Sequence, residues 1–214
     1  MARSISPASG WPDPASAGLG LIFGFGLAVP LAVVTGRHLV EFLLPLVHHL
    51  LVAFDDRFTV LFLGIDHTTQ DTVVRAKVNL LRMLVVGTHV VQPQPKGWLE
   101  VSTPVGTLLQ PMAIGLGLAL AWTGSLRRRL LRLAIVLAAG LSFMLIDIPM
   151  TLHAYIWTMF LQSYDPTHQS PLMAAHQFLH NGGRLGVGAG IGIVSIMIGE
   201  RLGRSREGHQ PGIC

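Results

Sequence analysis

Asp147 stands inside "LSFMLIDIPMTLHAYIW", a run from Leu141 to Trp157 that is otherwise almost wholly apolar, and His153 follows six residues later. A carboxylate and an imidazole at that spacing supply the groups for proton transfer, metal ligation or an ion pair. In a segment bound for lipid, an ionisable side chain is a functional candidate by default. Even lenient insertion scales assign about 2.5–3.5 kcal/mol to it at the bilayer centre. A second constellation is "HQFLHNGGRLGVGAG", where His176 and His180 are i,i+4 neighbours if helical, a spacing that suits two metal ligands, and Arg184 comes four residues on. Two histidines do not complete a metal site. A third ligand would have to come from Asp147, His153, His168 or the His48/His49 pair, and no spacing makes these converge. No HExxH or comparable signature indicates hydrolytic chemistry.

The expectation is therefore a candidate polar cluster of Asp147, His153, His176, His180 and Arg184, with no catalytic residue, bound metal or cofactor. Asp147 falls near the outer end of its apolar run, just before Pro149, which is expected to open the helix there. Arg184 starts the next apolar run at the same depth and is the expected partner of Asp147 in a structural clamp. His153, Tyr155, Trp157 and Tyr164 read as an interfacial aromatic belt. Gly182, Gly186 and Gly190 repeat every four residues, as do Gly188 and Gly192. Small residues at that interval let helix backbones approach closely in lipid, so the last apolar run is expected to be a packing helix. It lacks the preceding strand and the Lys-Ser/Thr ending of a nucleotide loop.

The elements that must carry these residues follow from composition. Half of the 214 residues are hydrophobic (50%) and only 12% are charged, against about 25% charged in soluble domains. The deficit points to lipid. The net charge of +4 is concentrated in "RRRLLR" and "RLGRSR", which mark cytoplasmic membrane flanks; no aromatic-rich basic face suggests nucleic acid. The one cysteine, Cys214, permits no intrachain disulfide and does not lie four from the end as a prenylation signal requires.

Residues 1–17 read as a flexible cytoplasmic leader and residues 18–36 as a retained first span of about the length that crosses a hydrocarbon core of about 30 Å. Residues 37–54 read as an amphipathic helix, because His38, Glu41, Pro45 and His48 share one face. From 55 to 103 the period changes toward two. In "TVVRAKVNL", Val74, Ala76, Val78 and Leu80 alternate with Arg75, Lys77 and Asn79, the pattern of a half-buried strand. "RFTVLFLGI", "MLVVGTHVV" and "WLEVSTPV" are further strand candidates, and the five acidic and five basic residues of this region cancel. Residues 104–200 hold three more spans, Val105–Trp122, Leu130–Ile148 and Arg184–Gly199, and 201–214 form a tail.

Arg127, Arg128, Arg129 and Arg132 assign their short loop to the cytoplasm, and Arg201, Arg204 and Arg206 assign the tail to the same side. Alternation then puts the β-rich region and 149–183 outside. The fold class is thus a mainly α membrane protein with about four transmembrane helices and a small extracytoplasmic β-rich domain between the first two. Five spans result if 38–54 also crosses.

This order of parts, with "VSTPVGTLLQPMAIGLGLALAW", the Arg-rich inner loop and the span ending in "FMLIDIPM", resembles the small membrane proteins associated with exosortases. Those are accessory proteins encoded beside transpeptidase-like enzymes that sort carboxy-terminally tagged surface proteins in Gram-negative bacteria. The resemblance implies a bacterial inner-membrane accessory protein, with lipid and an exosortase-like enzyme as its partners and no nucleic acid. It does not extend to catalysis. The sorting enzymes resemble a Cys–Arg–Arg/His site facing outward, whereas Cys214 is in the tail assigned to the cytoplasm, and no site residue carries over. A transporter or channel subunit with Asp147, His153 and Arg184 lining a polar path, and a metal or redox subunit using the histidines, are the alternative classes.

Overall fold

The computed structural model describes residues 14–69, 71–166 and 170–207. Most of the leader, His168 and Cys214 lie outside these residues. The chain runs α1 (Pro14–Phe54), β1 (Phe58–His67), β2 (Thr72–Leu80), β3 (Leu84–Val86), β4 (His89–Val91), β5 (Leu99–Pro104), α2 (Val105–Ala121), α3 (Leu126–Tyr164), α4 (Pro171–Phe178) and α5 (Arg184–Glu207). It is mainly helical with a small sheet region. Among the described residues three helical stretches are long and apolar enough to cross a membrane, Ala15–Phe54, Leu126–Tyr164 and Pro171–Leu202, and α2 is a shorter apolar helix.

At about 1.5 Å per residue, the 41 residues of α1 and the 39 of α3 each extend about 60 Å, twice a hydrocarbon core of about 30 Å. The 17 residues of α2 extend only about 25 Å. The long helices therefore overshoot α2. Their C-terminal halves carry the sheet.

The separation expected between 18–36 and 37–54 does not occur, because α1 is one helix. A buried stripe of Gly24, Ala28, Ala32, Gly36, Val40, Leu43, Val47 and Leu51 runs through the boundary at three- and four-residue steps. Just past that boundary Arg37 and Glu41 pair at 2.8 Å as i,i+4 neighbours on the exposed side of the same helix. What changes at Gly36 is the neighbour: small residues lie against α2, larger ones against the sheet and α3. The opening expected at Pro149 is likewise absent. Ile148, Pro149, Thr151 and Leu152 are all buried, so packing on both sides holds α3 helical across the missing N–H.

Within the bundle α1 runs antiparallel to α2. A Cβ on Gly24 would collide with the Gly117 carbonyl and sit 2.9 Å from the Ala121 nitrogen, so only glycine admits that approach. On the far side of α2, a Cβ on Gly188 of α5 would lie 2.6 Å from the Pro111 carbonyl oxygen.

The sheet order is β1-β2-β5, all antiparallel, and β3-β4 is a separate hairpin. The alternation in β2 sets its faces: Val74, Ala76, Val78 and Leu80 are buried, while Arg75, Lys77 and Asn79 are half-buried. "MLVVGTHVV" is two short strands, folded at Gly87 with φ +58°. The buried face of β2 joins Leu43, Val47 and Leu51 of α1 and Ile156 and Phe160 of α3 in one apolar core.

Candidate functional site

Asp147 and Arg184 meet. Arg184 Nε donates to Asp147 Oδ2 at 2.9 Å and Nη2 donates to Oδ1 at 3.0 Å, the fork geometry that matches guanidinium to carboxylate. The same Nη2 donates to Thr151 Oγ1 at 2.8 Å, and Thr151 donates on to Asp147 Oδ1 at 3.2 Å. Asp147 and Thr151 are one helical turn apart on α3, so their side chains share a face. Arg184 is brought to them by the kink before α5, where Asn181 and Gly182 leave helical geometry and Gly182 takes φ +110°, a conformation suited to glycine. Each charged residue is 1% exposed. Both carboxylate oxygens are engaged within the protein.

His153 does not join this pair. It lies at the junction of α1, β1 and α3, where it accepts a hydrogen bond from Trp157 Nε1 at 2.9 Å and stands 3.6 Å from Asp55 Oδ2. Its ring stacks on Phe54 and meets Phe58 edge-on. Asp55 in turn takes two hydrogen bonds from the Arg57 guanidinium, each 2.7 Å, and one from the Arg57 backbone N–H at 3.0 Å. Arg57 also sits 5.0 Å over the Trp157 ring. The expected belt histidine and tryptophan thus take part in a latch that fixes the entry to β1 against α3.

Burial works to raise the Asp55 pKa, but the Arg57 hydrogen bonds and charge outweigh it and hold the carboxyl below its ordinary value. Asp55 raises Arg57 in return. A depressed carboxylate stabilises the fold above the unfolded value of about 4, and loses that contribution as pH falls through its own lowered pKa. Asp55→Asn is expected to cost about 1–2 kcal/mol at neutral pH, since the partly exposed Arg57 recovers water. Denaturant melts of both proteins between neutral and strongly acidic pH check this; the difference should shrink as the wild-type carboxyl protonates.

His176 and His180 lie on α4 and the π-turn after it, with ring centres 6.0 Å apart and His176 edge-on to Tyr155 at 4.8 Å. Neither bonds to Asp147 or His153 among the described residues. Nor do the described residues contain a group of three or more His, Cys, Asp or Glu arranged to hold a metal. The five residues expected as one cluster thus occupy three places.

The glycine stripe also differs in phase from the expected one. Gly186 and Gly190 face open space, and the close contacts with α2 fall to Gly188 and Gly192. Gly182 serves the kink.

Two charged groups were not legible as site members. Asp55 meets His153 across 98 residues of sequence, with no local pattern to signal it. Arg132, expected only as a topological marker, is fully buried and donates to the Trp122 and Thr123 carbonyls at 2.9 and 3.1 Å. It thereby satisfies the free carbonyl end of α2 and reaches Glu200 of α5 at 3.5 Å. Comparison with protein families, with curated proteins and with solved structures returns no match.

Proposed function

We propose that this chain is a non-enzymatic accessory protein of the bacterial inner membrane that holds a small extracytoplasmic sheet on projecting helices and assists an exosortase-type sorting enzyme. In this reading residues 18–36, α2, the first part of α3 and α5 cross the membrane, and the Arg127–Arg129 start of α3, which is helical and not part of a loop, and the C-terminus are cytoplasmic. The halves of α1 and α3 beyond the bilayer carry the sheet outside.

The observation that carries the reading is the closure of the Asp147–Arg184–Thr151 group. Both oxygens of Asp147 are used by Arg184 and Thr151, α3 is unbroken at Pro149, and His153 is engaged by Trp157. Such a bundle is built to hold a shape. A polar transport path would favour a helix opened at Pro149 and an unpaired carboxylate, whereas α3 runs through Pro149 and Asp147 is paired with Arg184.

Purification of the tagged chain from native membranes in mild detergent tests the partner. A membrane transpeptidase-like enzyme is expected to co-elute; its absence from every eluate would overturn this reading. Topology has its own check. In a Cys214→Ser background, Lys77→Cys should label with an impermeant maleimide in intact spheroplasts and Ser125→Cys only after permeabilisation. The reverse pattern would invert the assignment.

A further inference from the structure

We infer that the outer edge of β1 is a binding site for an extended, uncharged segment of another polypeptide, which adds to the sheet as a fourth strand. β1 is an end strand of the β1-β2-β5 sheet, paired by β2 on one side. Between Thr59 and Asp66, no outward-facing backbone group is hydrogen-bonded to another segment among the described residues. Backbone N–H and C=O groups in such a row are complementary to one kind of partner, another strand.

Proteins ordinarily blunt such an edge with Lys, Pro or a covering element. β1, "FTVLFLGIDH", has no charge before Asp66 and no proline. β5, the other end strand, is shorter, carries Glu100 and ends at Pro104. A bulge in β1 does occur: the register shifts between Val60 and Phe62 and leaves Leu61 without a partner on β2. It puts Leu61 and Phe62 outward together, 57% and 47% exposed, instead of hiding them.

Next to this edge is a cleft of about 280 Å³, walled on one side by Leu44, Pro45 and His48 of α1 and on the other by Leu61, Phe62 and Leu63. That volume takes a row of side chains from one strand, not a helix. Its walls carry no fixed charge. The nearby charges are already matched, Arg37 to Glu41 and Arg75 to Asp66 and Glu100. A charged segment entering the cleft would lose hydration with nothing in return, so the electrostatic complement is an uncharged strand. The backbone edge specifies an extended conformation, and the bulged Leu61–Phe62 pair supplies apolar contact for every second side chain.

The claim is separate from the accessory role. A sorting enzyme that binds elsewhere would leave that role intact and remove this site.

The test uses the full chain in nanodiscs and a displayed library of linear dodecapeptides, with empty nanodiscs as counter-selection. Enriched peptides should share an uncharged stretch with alternating β-branched or aromatic residues. They should slow amide exchange of residues 60–63 at least tenfold, and bind at least tenfold more weakly to Leu61→Pro and to Phe62→Lys. Unchanged protection of β2 amides verifies that each variant is folded, and Phe62→Lys alone suffices if the proline variant is not. Failure to enrich any peptide over empty nanodiscs overturns the inference. So does binding that ignores the folded variants, or protection that falls outside β1.

Discussion

Replacing Asp147 with alanine is expected to lower stability in detergent by about 3–5 kcal/mol, and replacing Arg184 with alanine by a similar amount. The pair is the most deeply buried charge system joining α3 to α5, with two Arg184–Asp147 hydrogen bonds and Thr151 closing the third side. Removing either member leaves the other charged, dehydrated and unpaired, and that penalty dominates. The double replacement Asp147→Leu with Arg184→Met removes both charges and keeps volume, so it should recover most of the loss. Chemical denaturation of the wild type, Asp147→Leu, Arg184→Met and their combination forms a double-mutant cycle, with a coupling of several kcal/mol expected. If each single replacement cost less than about 1 kcal/mol, as a solvated pair does, the clamp would be rejected.

The second large effect is steric. Gly188→Leu and Gly24→Leu should each cost about 3 kcal/mol or more, because the obstacle is backbone and cannot move aside. A side chain on Gly188 meets the Pro111 carbonyl and Cα; one on Gly24 meets Gly117 and Ala121. Gly190→Leu, one turn along from Gly186 on the open face of α5, should leave the melting temperature nearly unchanged. Thermal melts followed by size-exclusion chromatography separate the three variants. Equal behaviour of Gly188→Leu and Gly190→Leu would mean that α5 packs on α2 in another register.

How much of this could be read from the chain depends on the range of each signal. Asp147 and Arg184 were legible as a pair because each is a lone charge at the same end of an apolar run, and only another charge at that depth can satisfy it. The faces of β2 were legible because its alternation from Val74 to Leu80 is local. The continuity of α1 was not: Arg37, His38 and Glu41 read as the end of one element, while the buried stripe that continues through them is set by α2, the sheet and α3. Likewise two glycine repeats of the same period compete on α5, and only contact with Pro111 and Leu118 decides between them. The Asp55–His153 contact depends on where α1 ends relative to α3. No local pattern encodes that.

The accessory role rests on two linked ideas, that the chain acts through a sorting enzyme and that it supplies no reactive group of its own. The measurement that reaches both is the processing of carboxy-terminally tagged surface proteins in native cells lacking this chain. Uncleaved precursors should accumulate although the sorting enzyme is still present. Cys214→Ser, which removes the chain's one thiol, should restore processing as fully as the wild-type chain does. Processing that continues at the wild-type rate without the chain would contradict the account.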